Sequence, residues 1–285
     1  MRTGVWKALA AQIAWGLFPF YWKQIEFVPA LQVMGHRIVW SFLTLMAVML
    51  WMGRFRDVFR TRRGLALYAV AGVLISANWF IYIWGVNNHF IVQTSLGYFI
   101  NPLVTVLMGV VIFGERLRWM QWLAVACAGA GVLYLTIVNG EFPWIALGLT
   151  ATFASYSALK KLAPLGALEG LTIETAFVAV PALGYLVYAN HTGTGAFVHA
   201  GLLPTLYLTG AGIVTTIPLL LFASSVRKIP FTLTGVLQFV SPILQLLTGV
   251  FFYHEAFGRD QTIGFTCVWI GLLIFWIDGV NSARS

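Results

Sequence analysis

A long segment of this chain occurs twice at a fixed spacing. Residues 95–122 form an apolar run that contains Asn101-Pro102 and closes with Gly114-Glu115-Arg116. A related run, GVLQFVSPILQLLTGVFFYHEAFGRDQ, occupies residues 235–261. Five pairs of identical residues share one interval, as in 242 − 102 = 140: Pro102/Pro242, Gly109/Gly249, Glu115/Glu255, Gln121/Gln261 and Gly131/Gly271. A constant interval without gaps indicates an internal duplication.

Most side chains of this protein must lie in lipid rather than in water. Of the 285 residues, 60% are hydrophobic and 9% are charged, whereas an ordinary soluble domain carries about 25% charged residues. A soluble fold of this size could not bury so much apolar surface. The chain is therefore predicted to be an all-α polytopic membrane protein whose surroundings are the lipid bilayer.

The net charge of +8 does not indicate nucleic-acid binding. The basic residues occur in short clusters between apolar runs, and such clusters act as topology signals in membrane proteins. Cys127 and Cys267 lie inside apolar runs without metal-ligand spacing. The sequence also lacks the GxxxxGK nucleotide loop and the HExxH metal pattern. We therefore expect no metal, no cofactor, no ATP hydrolysis and no enzymatic activity.

Ten apolar runs are long enough to cross a membrane, since a spanning helix needs about 17–25 apolar residues. With a cytoplasmic N-terminus, 14 of the 17 Lys and Arg residues face the cytoplasm, Lys23 and Arg259 face out, and Arg37 lies within a span. The positive-inside rule therefore predicts that both termini are cytoplasmic. The ten spans lie at residues 5–22, 32–52, 65–86, 93–113, 119–138, 143–160, 171–189, 203–225, 232–252 and 262–279.

The duplication divides the ten spans into two units, residues 1–140 and residues 141–285. Each unit holds five spans, an odd number, so the second copy must be inserted upside down relative to the first. Two inverted five-helix repeats are typical of transporters, in which the two halves supply inward-open and outward-open states around a site at the membrane midplane.

Several segments resemble RarD proteins of the EamA branch of the drug/metabolite transporter superfamily. The resemblance extends over almost the whole chain, and one departure is Ser241, where the first half has Asn101. It implies a ten-helix permease of the bacterial inner membrane, from a family associated with chloramphenicol sensitivity or resistance. The segments that carry it are HRIVWSF (36–42), NWFIYIWGVNNH (78–89), SLGYFINPL (95–103), GER (114–116) and IET (173–175).

Matched prolines in the two halves indicate a central site. Proline removes a backbone donor, frees a carbonyl one turn earlier and disfavours helical geometry in the residue before it. Pro102 and Pro242 are therefore predicted helix breaks, and such breaks in both halves point to a binding site. Tyr98, Asn101 and Gln238 lie beside the breaks and are predicted to face the cavity. A packing kink without a functional role is the alternative.

Two charged residues lie well inside predicted spans. Arg37 is in the second span and Glu174 is in the seventh, and a charge near the bilayer centre costs at least about 2.5–3.5 kcal/mol. One hypothesis is that Arg37 binds an anionic or carbonyl group of the solute while Glu174 takes up and releases a proton. The alternative is a structural role, either as a salt bridge or by snorkelling toward opposite surfaces.

Four more residues are candidates for solute binding. Asn78 is an amide at membrane depth, where it must find an internal partner. Trp15, Trp79 and Tyr156 could form flat walls for an amphiphilic solute. With 12 Trp, 10 Tyr and 22 Phe in the chain, an interfacial or lipid-facing position is the alternative for such aromatic residues.

The leading prediction is a secondary transporter that moves a small organic solute by alternating access. A lipid-directed protein, either a scramblase or an integral membrane enzyme, is the alternative; a flux assay for saturation and counterflow separates a transporter from a passive channel. Protons are a candidate coupling ion. Ten helices can enclose a pathway, so a monomer is sufficient, and a dimer is compatible with the sequence.

Overall fold

The computed structural model describes residues 1–54, 64–87, 90–140, 142–254 and 258–284, and over these ranges it is helical without any strand. A short 3-10 helix, Lys23–Ile25, follows α2. The α-helices are α1 (Arg2–Gly16), α2 (Phe18–Trp22), α3 (Ala30–Trp51), α4 (Leu65–Asn87), α5 (Ile91–Val111), α6 (Trp119–Asn139), α7 (Trp144–Leu162), α8 (Ala167–His191), α9 (Leu202–Val226), α10 (Phe231–Gln238), α11 (Val240–Phe252) and α12 (Arg259–Arg284).

Each predicted span coincides with one helix or with two consecutive helices. α1 and α2 together cover the first span, and α10 and α11 together cover the ninth. Among the described residues, seven helical stretches are long and apolar enough to cross a membrane: Ala30–Trp51, Leu65–Gly85, Trp119–Val138, Ala167–His191, Leu202–Val226, Phe231–Phe252 and Arg259–Gly279. α5 contributes a shorter apolar stretch, Leu96–Val111.

The two matched prolines have different local structures. α5 continues through Pro102, where we expected a break, because one missing backbone hydrogen bond need not end a helix that is packed on its neighbours. In the second half the helix is interrupted at Phe239, three residues before Pro242. Pro242 therefore lies in the first turn of α11, the part of a helix where a missing N–H costs least.

Small residues allow the helices to approach closely. A Cβ atom at Gly131 of α6 would lie 2.5 Å from the carbonyl oxygen of Gly264 in α12. Gly271 of α12 lies against α6 in the same way, since its Cβ would be 2.6 Å from the carbonyl oxygen of Ala124. Such close packing replaces the hydrophobic driving force that lipid cannot provide between helices.

The two largest clusters of buried side chains lie in different parts of the bundle. One core contains Phe99 and Phe265, whose rings meet edge to face at 4.6 Å. The other contains Tyr156 and Phe222. Helix α3 packs on α8 and α9, α1 on α9, α4 on α7 and α8, α5 on α7 and α10, and α6 on α12. We refer to the end of the bundle where α1 begins and α12 ends as the termini side.

Candidate functional site

Arg37 is held in an aromatic box. It lies seven residues after the start of α3 (37 − 30 = 7), or about 10 Å along the helix at 1.5 Å per residue. Its guanidinium carbon is 4.4 Å from the ring centroid of Trp79 and 4.7 Å from that of Trp22. Its Nε donates a 3.1 Å hydrogen bond to Thr215 Oγ1. Cation–π contacts stabilise a desolvated guanidinium, so these rings replace part of its lost hydration.

The side chain of Arg37 is only partly buried and has no carboxylate partner among the described residues. Tyr82 follows the Arg37 contact Trp79 at i+3 on α4, and its ring meets that of Tyr98 edge to face at 5.7 Å. Three residues predicted from the sequence to bind the solute, Arg37, Trp79 and Tyr98, are thus brought together in space.

A pair of amide side chains lies next to this box along α5. Asn101 Nδ2 donates to Gln238 Oε1 at 3.0 Å, and Thr105 Oγ1 donates to the same oxygen at 3.0 Å. Two atoms of the pair, Asn101 Oδ1 and Gln238 Nε2, are buried without a hydrogen-bond partner in the part of the chain that the structure describes. Buried polar atoms are almost always paired, so these two atoms are available to a solute or a water molecule.

One face of α5 connects the aromatic box to the amide pair. Tyr98, Asn101 and Thr105 are spaced i, i+3 and i+7, which places them on the same side of a helix. Tyr98 is partly exposed, whereas Asn101 and Thr105 are buried. A polar stripe of this kind inside an apolar bundle is the arrangement expected along a solute pathway.

Glu174 forms a buried ion pair that does not involve Arg37. Its Oε1 is 2.7 Å from Lys160 Nζ, and the side chains of Glu174 and Lys160 are 1% and 2% exposed. The Tyr156 hydroxyl donates to the other carboxylate oxygen at 3.4 Å. A buried charge is tolerable only when it is paired and hydrogen-bonded, and Lys160 meets that requirement.

Trp79 lies beside both charged sites. The ring of Trp79 contacts the guanidinium group of Arg37. Trp79 and Glu174 also line the same cavity of ≈ 10 Å³. A cavity of about this size accommodates one water molecule. The two sites are therefore neighbours even though Arg37 and Glu174 are not paired.

Three other candidates occupy packing positions. Asn78 Nδ2 donates to the carbonyl oxygen of Leu149 at 2.8 Å and to Thr152 Oγ1 at 2.9 Å, which ties α4 to α7. Trp15 packs its ring against Phe222 at 5.4 Å. Tyr156 is fully buried in the same core. These residues line the core beside the two charged sites.

Sequence reasoning missed Lys160, Trp22 and Thr215. Lys160 ends an apolar run, and the positive-inside rule counts it among the basic residues that face the cytoplasm, although it lies one helical turn after Tyr156 on the same face of α7. That spacing was the available signal. Nothing in the sequence pairs Trp22 or Thr215 with Arg37, because the three residues come from separate helical segments.

Polar contacts on the termini side join the connection after α5 to the start of α10. The Glu115 carboxylate accepts backbone hydrogen bonds from Phe231 at 2.6 Å and Thr232 at 2.7 Å, and it lies 3.7 Å from Lys161 Nζ. Lys161 also donates to the carbonyl oxygen of Ile229 at 2.8 Å. We call this group the Glu115 latch. Its repeat counterpart Glu255 lies outside the described residues, as do His89, Arg56, Arg60, Arg62 and Arg63.

No cluster of three His, Cys, Asp or Glu side chains suited to a metal ion occurs within the described ranges. The candidate site is therefore built from one partly buried cation, aromatic rings, two amides and one buried ion pair.

Comparison with known proteins places these residues in a family context. The EamA-like transporter family matches residues 2–137. Protein RarD of Streptomyces exfoliatus is 41% identical, over 99% of this chain and 91% of that protein. The uncharacterized transporter YojE of Bacillus subtilis is 39% identical, over 100% of this chain and 97% of that protein. One solved crystal structure aligns with a TM-score of 0.73 at 19% identity, over 95% of this chain and 96% of that chain, which indicates a shared fold.

Proposed function

The chain belongs to the EamA-like transporter family as a RarD-type permease, and on that premise we propose that it is a secondary transporter working by alternating access. The solute is a small organic molecule. The observation that carries this proposal is the partly exposed Arg37 cation in its aromatic box, which α5 connects to an amide pair with two unpartnered atoms.

The helix contacts support two inverted repeats, residues 1–140 and residues 141–285. Gly131 lies against Gly264 and Gly271 lies against Ala124, and these contacts exchange under the repeat interval, since 131 + 140 = 271 and 124 + 140 = 264. Reciprocal contacts of this kind are characteristic of a two-fold relation. Along α6 from Ala124 to Gly131, the contacted residue in α12 moves back from Gly271 to Gly264. The two equivalent helices are therefore antiparallel, as inversion requires.

We infer that the termini side faces the cytoplasm of a bacterial cell and that the protein lies in the inner membrane. Lys160, Lys161, Arg118, Arg227 and Lys228 all lie toward this side of the bundle, which agrees with the positive-inside rule. The ion pair between Arg118 and Asp278 and the one between Arg54 and Glu169 lie on the same side. With the Glu115 latch closed, the pathway is shut toward the cytoplasm, and inward opening requires these contacts to break.

Glu174 is the proposed coupling residue. Protonation of its carboxylate would remove the charge that holds Lys160 in the interior, and the cost of burying an unpaired cation would then favour a different arrangement of α7 and α8. The water-sized cavity beside Glu174 offers a place for the water that delivers the proton. Coupling to protons is therefore proposed for this pair rather than for Arg37.

The test is uptake of a labelled metabolite mixture into proteoliposomes, with and without an imposed proton gradient. We expect saturable, gradient-dependent accumulation and counterflow. Accumulation that Glu174→Gln converts into gradient-independent exchange would support the coupling role. Flux that never saturates would show a passive channel, and an absence of flux together with lipid scrambling would favour the lipid-directed alternative.

A matched control is available on the opposite side of the bundle. Glu26 forms an exposed ion pair with Lys23 at 3.2 Å, and exposed pairs contribute little to stability. Glu26→Gln removes the same charge as Glu174→Gln and should leave the gradient dependence intact. If both variants lost coupling equally, Glu174 would have no special role.

A further inference from the structure

We propose that the solute bound at Arg37 is an organic monocarboxylate that also carries an uncharged hydrogen-bonding group about one helical turn from its carboxylate. This inference rests on the proposed transport function and names its substrate class. Two sets of polar atoms carry it. Both lie inside the bundle without partners, and one face of α5 connects them.

The first set is the outer edge of the Arg37 guanidinium. The hydroxyl of Thr215 accepts the hydrogen bond from Nε, and the rings of Trp22 and Trp79 lie over the guanidinium group. Neither terminal nitrogen has a hydrogen bond or an ion pair within the described part of the chain. These two nitrogens form the planar fork that binds a carboxylate with two parallel hydrogen bonds. A carboxylate would therefore complete the site, whereas an uncharged solute would leave the cation uncompensated.

The charge of the solute follows from the charges around the site. Lys160 is neutralised by Glu174, and Lys161 lies beside Glu115. Arg37 is thus the one uncompensated cation among the described residues that form the aromatic box, the amide pair and the buried ion pair. A single positive charge matches a monoanion, because a second negative charge would be desolvated without a partner.

The second set is the amide pair. Asn101 Oδ1 is an unpartnered acceptor and Gln238 Nε2 is an unpartnered donor. Exchanging O and N in both amides keeps their mutual hydrogen bond and again leaves one donor and one acceptor. A hydroxyl or an amide on the solute can satisfy both, since each of these groups donates and accepts. Lipid cannot satisfy them.

The spacing of the two groups on the solute follows from α5. Trp79 contacts Arg37, Tyr82 follows Trp79 at i+3, and the ring of Tyr82 meets that of Tyr98, which links the Arg37 box to α5. Asn101 follows Tyr98 at i+3, where Cβ atoms are about 5–6 Å apart. Tyr82 and Tyr98 present their rings beside this interval, so the body that joins the two polar groups contacts aromatic surface.

The experiment measures ligand-induced thermal stabilisation of the purified full-length protein. The probes are 4-hydroxyphenylacetate, phenylacetate without the hydroxyl, and 4-hydroxyphenylacetamide without the charge. A ligand that binds only the folded state raises the unfolding temperature in proportion to its affinity. We expect the hydroxylated carboxylate to bind most tightly, with about 10- to 100-fold preference over its amide because a charge-assisted hydrogen bond is lost in the amide.

Variants separate the two halves of the proposal. Arg37→Gln should abolish the preference for carboxylate over amide, and Arg37→Lys should keep part of it, because lysine retains the charge but not the fork. Gln238→Leu should abolish the preference for the hydroxylated probe while the carboxylate preference remains. Arg259→Gln removes a charge from the exposed start of α12 and should change neither preference.

Equal stabilisation of wild type by the carboxylate and the amide, including none by either, would overturn the inference, as would an Arg37→Gln variant that keeps the preference. The unfolding temperature without ligand reports whether each variant is folded. Selective binding without flux in proteoliposomes would refute the transport function and leave the ligand class standing. Saturable flux of uncharged solutes that Arg37→Gln does not affect would support the transport function and refute the ligand class.

Discussion

Glu174 and Lys160 form an ion pair inside the bundle. Both are almost fully buried and lie 2.7 Å apart. Removing one partner of such a pair leaves a buried charge without compensation, whereas removing both leaves none. The free energy of unfolding should therefore respond to these substitutions in a strongly non-additive way.

We predict that Lys160→Met lowers the free energy of unfolding by about 3–5 kcal/mol. Adding Glu174→Leu to this variant should recover most of that loss, because the double variant buries no unpaired charge. The measurement is a double-mutant cycle of denaturant midpoints in detergent. If the double variant were destabilised by the sum of the two single losses, the pair would not be coupled in the way that its geometry implies.

Helices α6 and α12 are joined by the Arg118–Asp278 ion pair and by a hydrogen bond from Tyr134 to Asp260. Between these contacts their backbones approach closely, so glycine is required at some positions and not at others. A Cβ atom at Gly131 would meet the backbone of Gly264 at 2.5 Å, while a Cβ atom at Gly129, also in α6, has nothing within 4 Å. These two glycines provide a matched comparison within one helix.

Gly131→Ala should lower the free energy of unfolding by about 1–3 kcal/mol, because the added methyl group overpacks the contact. Gly129→Ala should leave stability unchanged or raise it by up to about 1 kcal/mol, since alanine is the better helix former. Thermal unfolding of both variants in the same detergent checks the difference. Equal effects at the two positions would show that close approach is not what stabilises this pair of helices.

The Glu115 latch joins the end of α5 to the start of α10, and its hydrogen bonds are charge-assisted. Replacing the carboxylate by an amide should weaken a contact of about 1.5–3 kcal/mol and shift the population toward a bundle that is open on the termini side. Thr105 is fully buried and lies one turn beyond Asn101 on α5, toward the end of the helix that Glu115 follows. A cysteine at this position therefore reports the opening.

In a background without Cys127 and Cys267, we predict that Glu115→Gln raises the labelling rate of Thr105→Cys about tenfold or more, as expected from a loss of about 1.5 kcal/mol. A membrane-impermeant maleimide is added to inside-out vesicles, which expose the cytoplasmic side. Glu26→Gln serves as the control with the same loss of charge. Unchanged labelling in Glu115→Gln would mean that the latch does not hold this side closed.

At the scale of the whole molecule, the proposed orientation makes a direct prediction. A fluorescent protein fused to the C-terminus should be fluorescent, since it folds in the cytoplasm, and alkaline phosphatase fused there should be inactive. The segment from Thr192 to Gly201 connects α8 to α9. Phosphatase inserted into this segment should be active. The opposite pattern would place the termini outside the cell and would reverse the assignment of the closed side.

The architecture could be predicted from sequence to the level of helical segments, because a run of apolar residues determines a spanning helix locally. Pro102 shows the limit of local reasoning, since packing keeps α5 continuous through it. Residue type and depth predict Arg37, Trp79 and Tyr98 as candidates, and the structure brings Arg37 and Trp79 into contact. Their role in binding stays a prediction. The partnership of Glu174 with Lys160 could not be predicted, because it depends on how α7 and α8 are placed side by side through their packing on α4.

The Glu115 latch also determines which substitutions can reveal it. The carboxylate binds backbone N–H groups of Phe231 and Thr232, and every residue except proline supplies such a group. Side-chain substitutions at these two positions would thus leave the hydrogen bonds to Glu115 in place and would not reveal the joint. Sequence changes at the start of α10 can therefore leave the joint unchanged, so only substitution of Glu115, in the connection between α5 and α6, removes its side-chain partner.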